Sequence, residues 1–137
     1  MAGLVLDASG ALSALVPSQA TDASRDFLSA LPEGLISPDL FRLEVRAALI
    51  KLEARGVLPA NHGETGLRLL EAVIGFAGPL GDIDLQRVCD LARRLGLSIY
   101  DAVYLDLAQL RDASLASRDG GLIRAAGDEG VAVVDLR

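Results

Sequence analysis

The sequence predicts an α/β domain in which a mainly parallel sheet lies between layers of helices. Three observations predict it. Short, continuous apolar runs, of which Gly3-Leu4-Val5-Leu6 is the first, have the character of strands buried on both faces of a sheet. Longer segments between them carry apolar residues at spacings of three and four, the period of a helix. Strands and helices then alternate along the whole chain, which is the signature of parallel βα units.

The elements follow in order. The first strand, Gly3 to Leu6, ends at Asp7, and a helix over about Ser9 to Val16 stops near Pro17. A second helix, about Thr21 to Ala30, turns Phe27, Leu28 and Leu31 inward. Leu35-Ile36-Ser37 forms a second strand between Gly34 and Pro38. Asp39 to Arg55 is helical, with Leu40, Leu43, Ala47, Ile50 and Ala54 as its apolar stripe and Gly56 as its stop. A further helix covers about Ala60 to Phe76, and Leu80 to Ile83 is read as a third strand. Helices over Leu85 to Leu95 and Ser98 to Arg111 precede the fourth strand, Ala113 to Ser117. Asp119 to Ala126 is the last helix and Val131 to Val134 the last strand. No linker or internal repeat divides residues 1–137, so one domain is expected.

Composition bounds the function. The chain is 51% apolar but only 4% aromatic, so its core is built from Leu, Val, Ile and Ala. Acids outnumber bases 19 to 13, for a net charge of −6. That balance argues against a protein that coats nucleic acid through bulk positive charge. It is compatible with a nuclease that holds divalent cations, and with a basic protein partner. Cys89 is the only cysteine, so no intrachain disulfide forms; with no basic leader at the N-terminus, a cytoplasmic protein is expected. The longest uncharged apolar stretch, Ala72 to Leu80, is far short of the roughly 20 residues of a membrane span.

Four acids stand where a site is expected, beyond the carboxyl ends of parallel strands. Asp7 closes the first strand, and Asp119 follows the fourth. Asp101 opens the helix leading into the fourth, and Glu44 lies within the helix after the second. Each also has a plainer reading. Asp7 and Asp119 fit helix caps, and Ser98 with Asp101 resembles a capping box. Glu44 resists one, because Leu40, Phe41, Ala47 and Ala48 surround it one turn away. A single explanation covers all four: clustered carboxylates repel one another unless a cation lies among them. Oxygen ligands alone suit Mg²⁺ or Mn²⁺, which activate water toward a phosphodiester.

These residues resemble the PIN-domain family, in particular its VapC-type ribonuclease toxins. Leu4-Val5-Leu6-Asp7-Ala8-Ser9 resembles the family's first strand with its catalytic Asp and a following hydroxyl. Leu43-Glu44-Val45 resembles its Glu-Val step, Leu97 to Ala108 its Tyr-Asp-Ala helix, and Leu115 to Asp119 its Leu-Ala-Thr-x-Asp segment, with Ser117 in the Thr position. The match runs from Leu4 to Val134. The resemblance implies a three-layer α/β/α fold and Mg²⁺- or Mn²⁺-dependent cleavage of RNA by metal-activated water. It also implies a homodimer and a partner antitoxin. Asp7, Glu44, Asp101 and Asp119 are then the catalytic, metal-holding acids, with Ser9 and Ser117 as supporting polar groups.

The remaining features are weighed beside these. Arg42, Arg46 and Arg118 lie near the acids in sequence and are candidate phosphate contacts, although ordinary solvated arginines look the same. Tyr100 and Tyr104 read first as packing and second as a base-stacking pair. His62 reads as a surface residue, and with no second His no common zinc site can be built. Asp82 and Asp84 are expected in a solvated loop. Leu12, Leu15, Phe27 and Leu28 are candidates for the surface joining two chains. Two rivals remain: a catalytically silent PIN-like binding module, and a phosphotransfer domain with Asp7 as nucleophile, which lacks the usual second Asp because Ser9 stands there.

Overall fold

A computed structural model describes residues 3–137; Met1 and Ala2, which head the N-terminal run, lie outside them. Five strands, β1 (Leu4–Leu6), β2 (Leu35–Ser37), β3 (Gly75–Phe76), β4 (Ser114–Ser117) and β5 (Val133–Asp135), form one sheet in the order β3-β2-β1-β4-β5. Every pairing in it is parallel. Seven helices connect them: α1 (Ala8–Leu15), α2 (Asp22–Ser29), α3 (Leu40–Ala54), α4 (Glu64–Val73), α5 (Leu85–Leu95), α6 (Ile99–Leu110) and α7 (Gly120–Asp128).

The central strands explain the layering. Val5 and Leu6 point to opposite faces of β1, and both are buried; Leu115 and Ala116 repeat this on β4. A sheet apolar on both faces must be covered on both. Helix α1 packs against α2, α3 and α4, while α6 packs against α5 and α7. The chain winds outward from β1 through β2 to β3, then returns to place β4 on the other side of β1. That reversal creates a topological switch point between β1 and β4, where open α/β sheets place their ligands.

Three expectations are corrected. The third strand is Gly75–Phe76 and not Leu80 to Ile83, where the chain makes a short 3₁₀ turn over Leu80–Asp82. Two paired residues at a sheet edge leave no periodic pattern to read, and the helix expected to reach Phe76 ends at Val73 instead. The apolar stripe assigned to α3 is its outer one: Leu43 is 76% exposed and Ile50 63%, whereas Phe41, Val45 and Leu49 enter the core. The helix is apolar on two faces, and periodicity alone did not distinguish the covered face from the open one. Exposed apolar residues include Leu43 and Ile50 of α3, Ile99 and Tyr100 of α6 and Leu69 of α4, and of the early candidates only Leu28 is exposed. Among the described residues no helix is long and apolar enough to cross a membrane.

Candidate active site

The site is assembled from the two strands at the switch point. Leu6 stands opposite Ala116 in the register, and the Asp7 backbone N–H donates to the Ala116 carbonyl (3.2 Å). This sets the Asp7 side chain beside the end of β4. The Ser117 hydroxyl donates to Asp7 Oδ2 (2.6 Å), the Ser9 hydroxyl to the same carboxylate (2.9 Å), and the Gly10 N–H to Oδ1 (2.8 Å). Each hydroxyl has one proton to give, and both go to Asp7. As acceptors they then take the next backbone amides, Ser9 Oγ from Arg118 and Ser117 Oγ from Asp119 (3.0 Å each). Both serines thus act on Asp7 and on the loop carrying Asp119. Gly10 is glycine for space, since a Cβ there would stand 2.9 Å from the Leu6 side chain and 3.2 Å from Asp7 Oδ1.

The other acids come from three helices. Asp119 caps α7, its Oδ1 accepting from the Leu122 N–H (3.0 Å). Asp101 stands in the first turn of α6, where its own N–H donates to the capping Ser98 hydroxyl (3.1 Å). The reciprocal bond of a capping box is absent among the described residues, and the Ser98 hydroxyl beside the Asp101 carboxylate lowers its proton affinity. Glu44, in the second turn of α3, accepts a hydrogen bond from the Tyr104 hydroxyl (2.7 Å).

Electrostatics shows that these groups sense one another. Asp7, 2% exposed, has its carboxyl pKa raised from 3.8 to about 6, chiefly by burial; its three hydrogen-bond donors oppose this and Asp101 adds to it. Asp101 is also raised to about 6, by burial first and then by the charges of Asp119 and Glu44. Glu44 is raised by burial, with Tyr104 pulling the other way. Tyr104 is pushed up by burial and by Glu44, Asp7 and Asp101, so its phenol stays protonated and acts only as a donor.

Asp7 and Asp119 therefore do cap helices, and they also belong to one acidic cluster. The cluster is not drawn tight: among the described residues, no three His, Cys, Asp or Glu side chains meet as they stand in an arrangement that could hold an ion. Asp7, Glu44 and Asp119 each have an oxygen engaged by a protein donor. The donor set itself, all carboxylate oxygen, fits a hard divalent cation.

Other expected contacts fall elsewhere. Arg46 binds Glu71 (2.6 Å) and Glu64 (3.2 Å), and Arg42 binds Glu71 (3.3 Å) while lying over the Phe76 ring. Both guanidiniums fasten α3 to α4. Arg118 makes no ion pair among the described residues. Asp84 caps α5, and His62 is exposed. Sequence reasoning missed Tyr104, read as packing with Tyr100; Tyr104 is buried against Glu44 while Tyr100 is exposed. It also missed Asp106, whose bidentate pairing with Arg87 (2.7 and 3.0 Å) fastens α5 to the helix carrying Asp101. The one available signal was an acid inside an otherwise apolar helix, Val103 to Ala108.

The chain belongs to the PIN-domain family: the family model for the PIN domain matches residues 4–128. No curated protein matches it. Among solved structures it is similar to PAE2754 from Pyrobaculum aerophilum, with 24% identity, a TM-score of 0.71, and 97% of this chain covered against 90% of that one. It is also similar to a toxin–antitoxin complex from Klebsiella pneumoniae (20% identity, TM-score 0.67, covering 96% and 98%). FitAcB from Neisseria gonorrhoeae shares 19% identity over 95% of each chain, with a TM-score of 0.62. At these identities the likeness establishes the fold.

Two outcomes follow from the site's electrostatics. The folded Asp7 carboxyl holds its proton more tightly than the ordinary value of 3.8, so its contribution to stability is fully present below about pH 4 and is lost as pH rises through about 6. The stability of wild type relative to Asp7→Asn should therefore rise by about 1–3 kcal/mol between pH 7.5 and pH 4, as read by urea unfolding. A difference between the two proteins that does not change with pH would contradict this. Tyr104→Phe should cost about 1–3 kcal/mol at neutral pH, because Glu44 loses its donor. The loss should shrink in acid, where Glu44 is protonated; an equal loss at both pH values would mark Tyr104 as packing alone.

Proposed function

We propose that this chain is a divalent-cation-dependent ribonuclease, the toxin of a toxin–antitoxin pair, that hydrolyses RNA phosphodiesters. The observation carrying this reading is the convergence of Asp7, Glu44, Asp101 and Asp119 from separate stretches of chain on the switch point, where two of them hold protons far above the usual carboxylate range. PIN domains are generally nucleases, which supports the same reaction class. One structure similar to the chain is a toxin–antitoxin complex, which supports an antitoxin partner.

Asp7, Glu44, Asp101 and Asp119 would hold the Mg²⁺ or Mn²⁺. When bound, such an ion supplies counter-charge to the carboxylates and Lewis acidity toward water and the phosphate oxygens. The protein's part is orientation. Ser9, Ser117 and the Gly10 amide fix both oxygens of Asp7, and Tyr104 fixes Glu44 with Oε1 occupied and Oε2 free. Asp101, which feels the charges of Asp119 and Glu44, would add its carboxylate to the same set. The position two residues after Asp7, where a phosphotransfer aspartate would stand, holds a hydroxyl that donates to Asp7. Two copies pairing through Leu43, Ile50, Ile99 and Tyr100 would cover the exposed apolar surface beside Glu44. The lone Cys89 suits action in the cytoplasm.

The test is cleavage of a cellular RNA pool with Mg²⁺ or Mn²⁺. Wild type should cleave, Asp101→Asn should lose about 100-fold or more while keeping its circular dichroism, and excess EDTA should stop the reaction. Full activity in the variant or in EDTA overturns the reading. No cleavage, together with no thermal stabilisation by Mn²⁺, favours the silent binding module.

A further inference from the structure

A carboxylate cluster in a chain of net charge −6 repels the polyanion it would cut. Some cation must hold the strand locally, and most arginines are engaged by carboxylates of the same chain. Arg55, Arg111, Arg118 and Arg124 make no ion pair among the described residues, and of these Arg118 directly follows the site residue Ser117. Its backbone is anchored there by the bond to Ser9 Oγ, it makes no ion pair among the described residues, and its side chain is half-buried.

Arg118 lines an open groove of about 420 Å³ together with Ser9, Asp119, Gln19, Thr21 and Arg137. Arg137 binds Asp135 through Nε and Nη2, which leaves Nη1 without a carboxylate. That nitrogen lies 3.4 Å from where a Cβ on Gly120 would stand, so the guanidinium sits over the first residue of α7, next to Asp119. The groove thus shares one acid of the cluster, Asp119, and has two arginines in its lining.

We propose that this groove is a phosphate-holding subsite for single-stranded RNA running on from the bond being cut, with Arg118 and Nη1 of Arg137 as its contacts. The inference rests on the ribonuclease reading above. Guanidinium forks match phosphate oxygens, and such contacts position a strand without reading its bases. The Thr21 hydroxyl already donates to the Leu136 carbonyl, which ties the groove's far wall to the segment bearing Arg137.

The experiment measures binding of a fluorescent single-stranded RNA to the full chain carrying Asp7→Asn, across a salt series. Arg118→Ala and Arg137→Ala should each weaken binding by roughly tenfold. Each should also flatten the salt dependence by about 0.7 in log–log slope, the value of one single-strand phosphate contact. Arg55→Ala, which removes an exposed charge at the end of α3, should change neither. In the cleaving protein, Arg118→Ala should raise KM and leave kcat, the mark of a contact made before the transition state. If the parent binds RNA and neither groove variant moves affinity or slope, the subsite is overturned and the nuclease reading stands. Unchanged RNA binding with lost affinity for an acidic peptide also overturns it. Failure of wild type to cleave any RNA strikes the ribonuclease reading instead, and the binding series still decides whether the groove holds a strand.

Discussion

The hydrogen bond from Ser117 to Asp7 joins the ends of the two strands that flank the switch point, and the arrangement of the site depends on it. The pairing of β1 with β4 brings Asp7 to the end of β4; the two serine hydroxyls then hold its carboxylate by giving up their only protons. Because those hydroxyls are already donors, they can only accept from the amides of Arg118 and Asp119. One carboxylate therefore sets the path of the loop that carries a second carboxylate and Arg118. Were Asp7 apolar, both serines would be left with protons to place, and the entry into α7 would lose its anchor.

Burial of that carboxylate has a thermodynamic consequence. Desolvation raises the proton affinity of Asp7 and Asp101 even though hydrogen bonds to each work against it. Ionised at neutral pH, the pair opposes folding. Sites that run against stability are characteristic of function, since a fold optimised for stability alone would neutralise them. Helix capping and site formation are compatible here: Asp7 and Asp119 engage one oxygen with the first turn of a helix, and the helix dipole favours their charge while they face the cluster.

Much of this was legible in the sequence where the pattern and the physics coincide. The apolar run before Asp7 and the Leu115-Ala116-Ser117 run before Asp119 are strands because both faces are covered, and continuous apolarity reports that directly. Gly96 ends α5 in a left-handed conformation (φ 67°), which the glycine foretold. β3 was illegible because an edge strand of two residues has no period. The exposed stripe of α3 misled because Leu43 and Ile50 obey the same spacing as Phe41 and Val45, and only tertiary contact decides between the faces. Arg42 and Arg46 sit near Glu44 in sequence, but helix geometry turns them toward Glu71 of α4. Tyr104 was invisible as a site residue because a buried tyrosine and a tyrosine holding a carboxylate look the same until the partner on another helix is known.

The central claim is that carboxylates from distant stretches of chain are close enough to raise one another and to require a cation between them. Carboxyl ¹³C NMR of Asp7 and Asp101, titrated in the absence of divalent metal and again with Mg²⁺, tests it most directly. The account predicts pKa values near 6 for both without metal and a marked fall in each when Mg²⁺ is added. Ordinary values close to 3.8, unmoved by Mg²⁺, would contradict it.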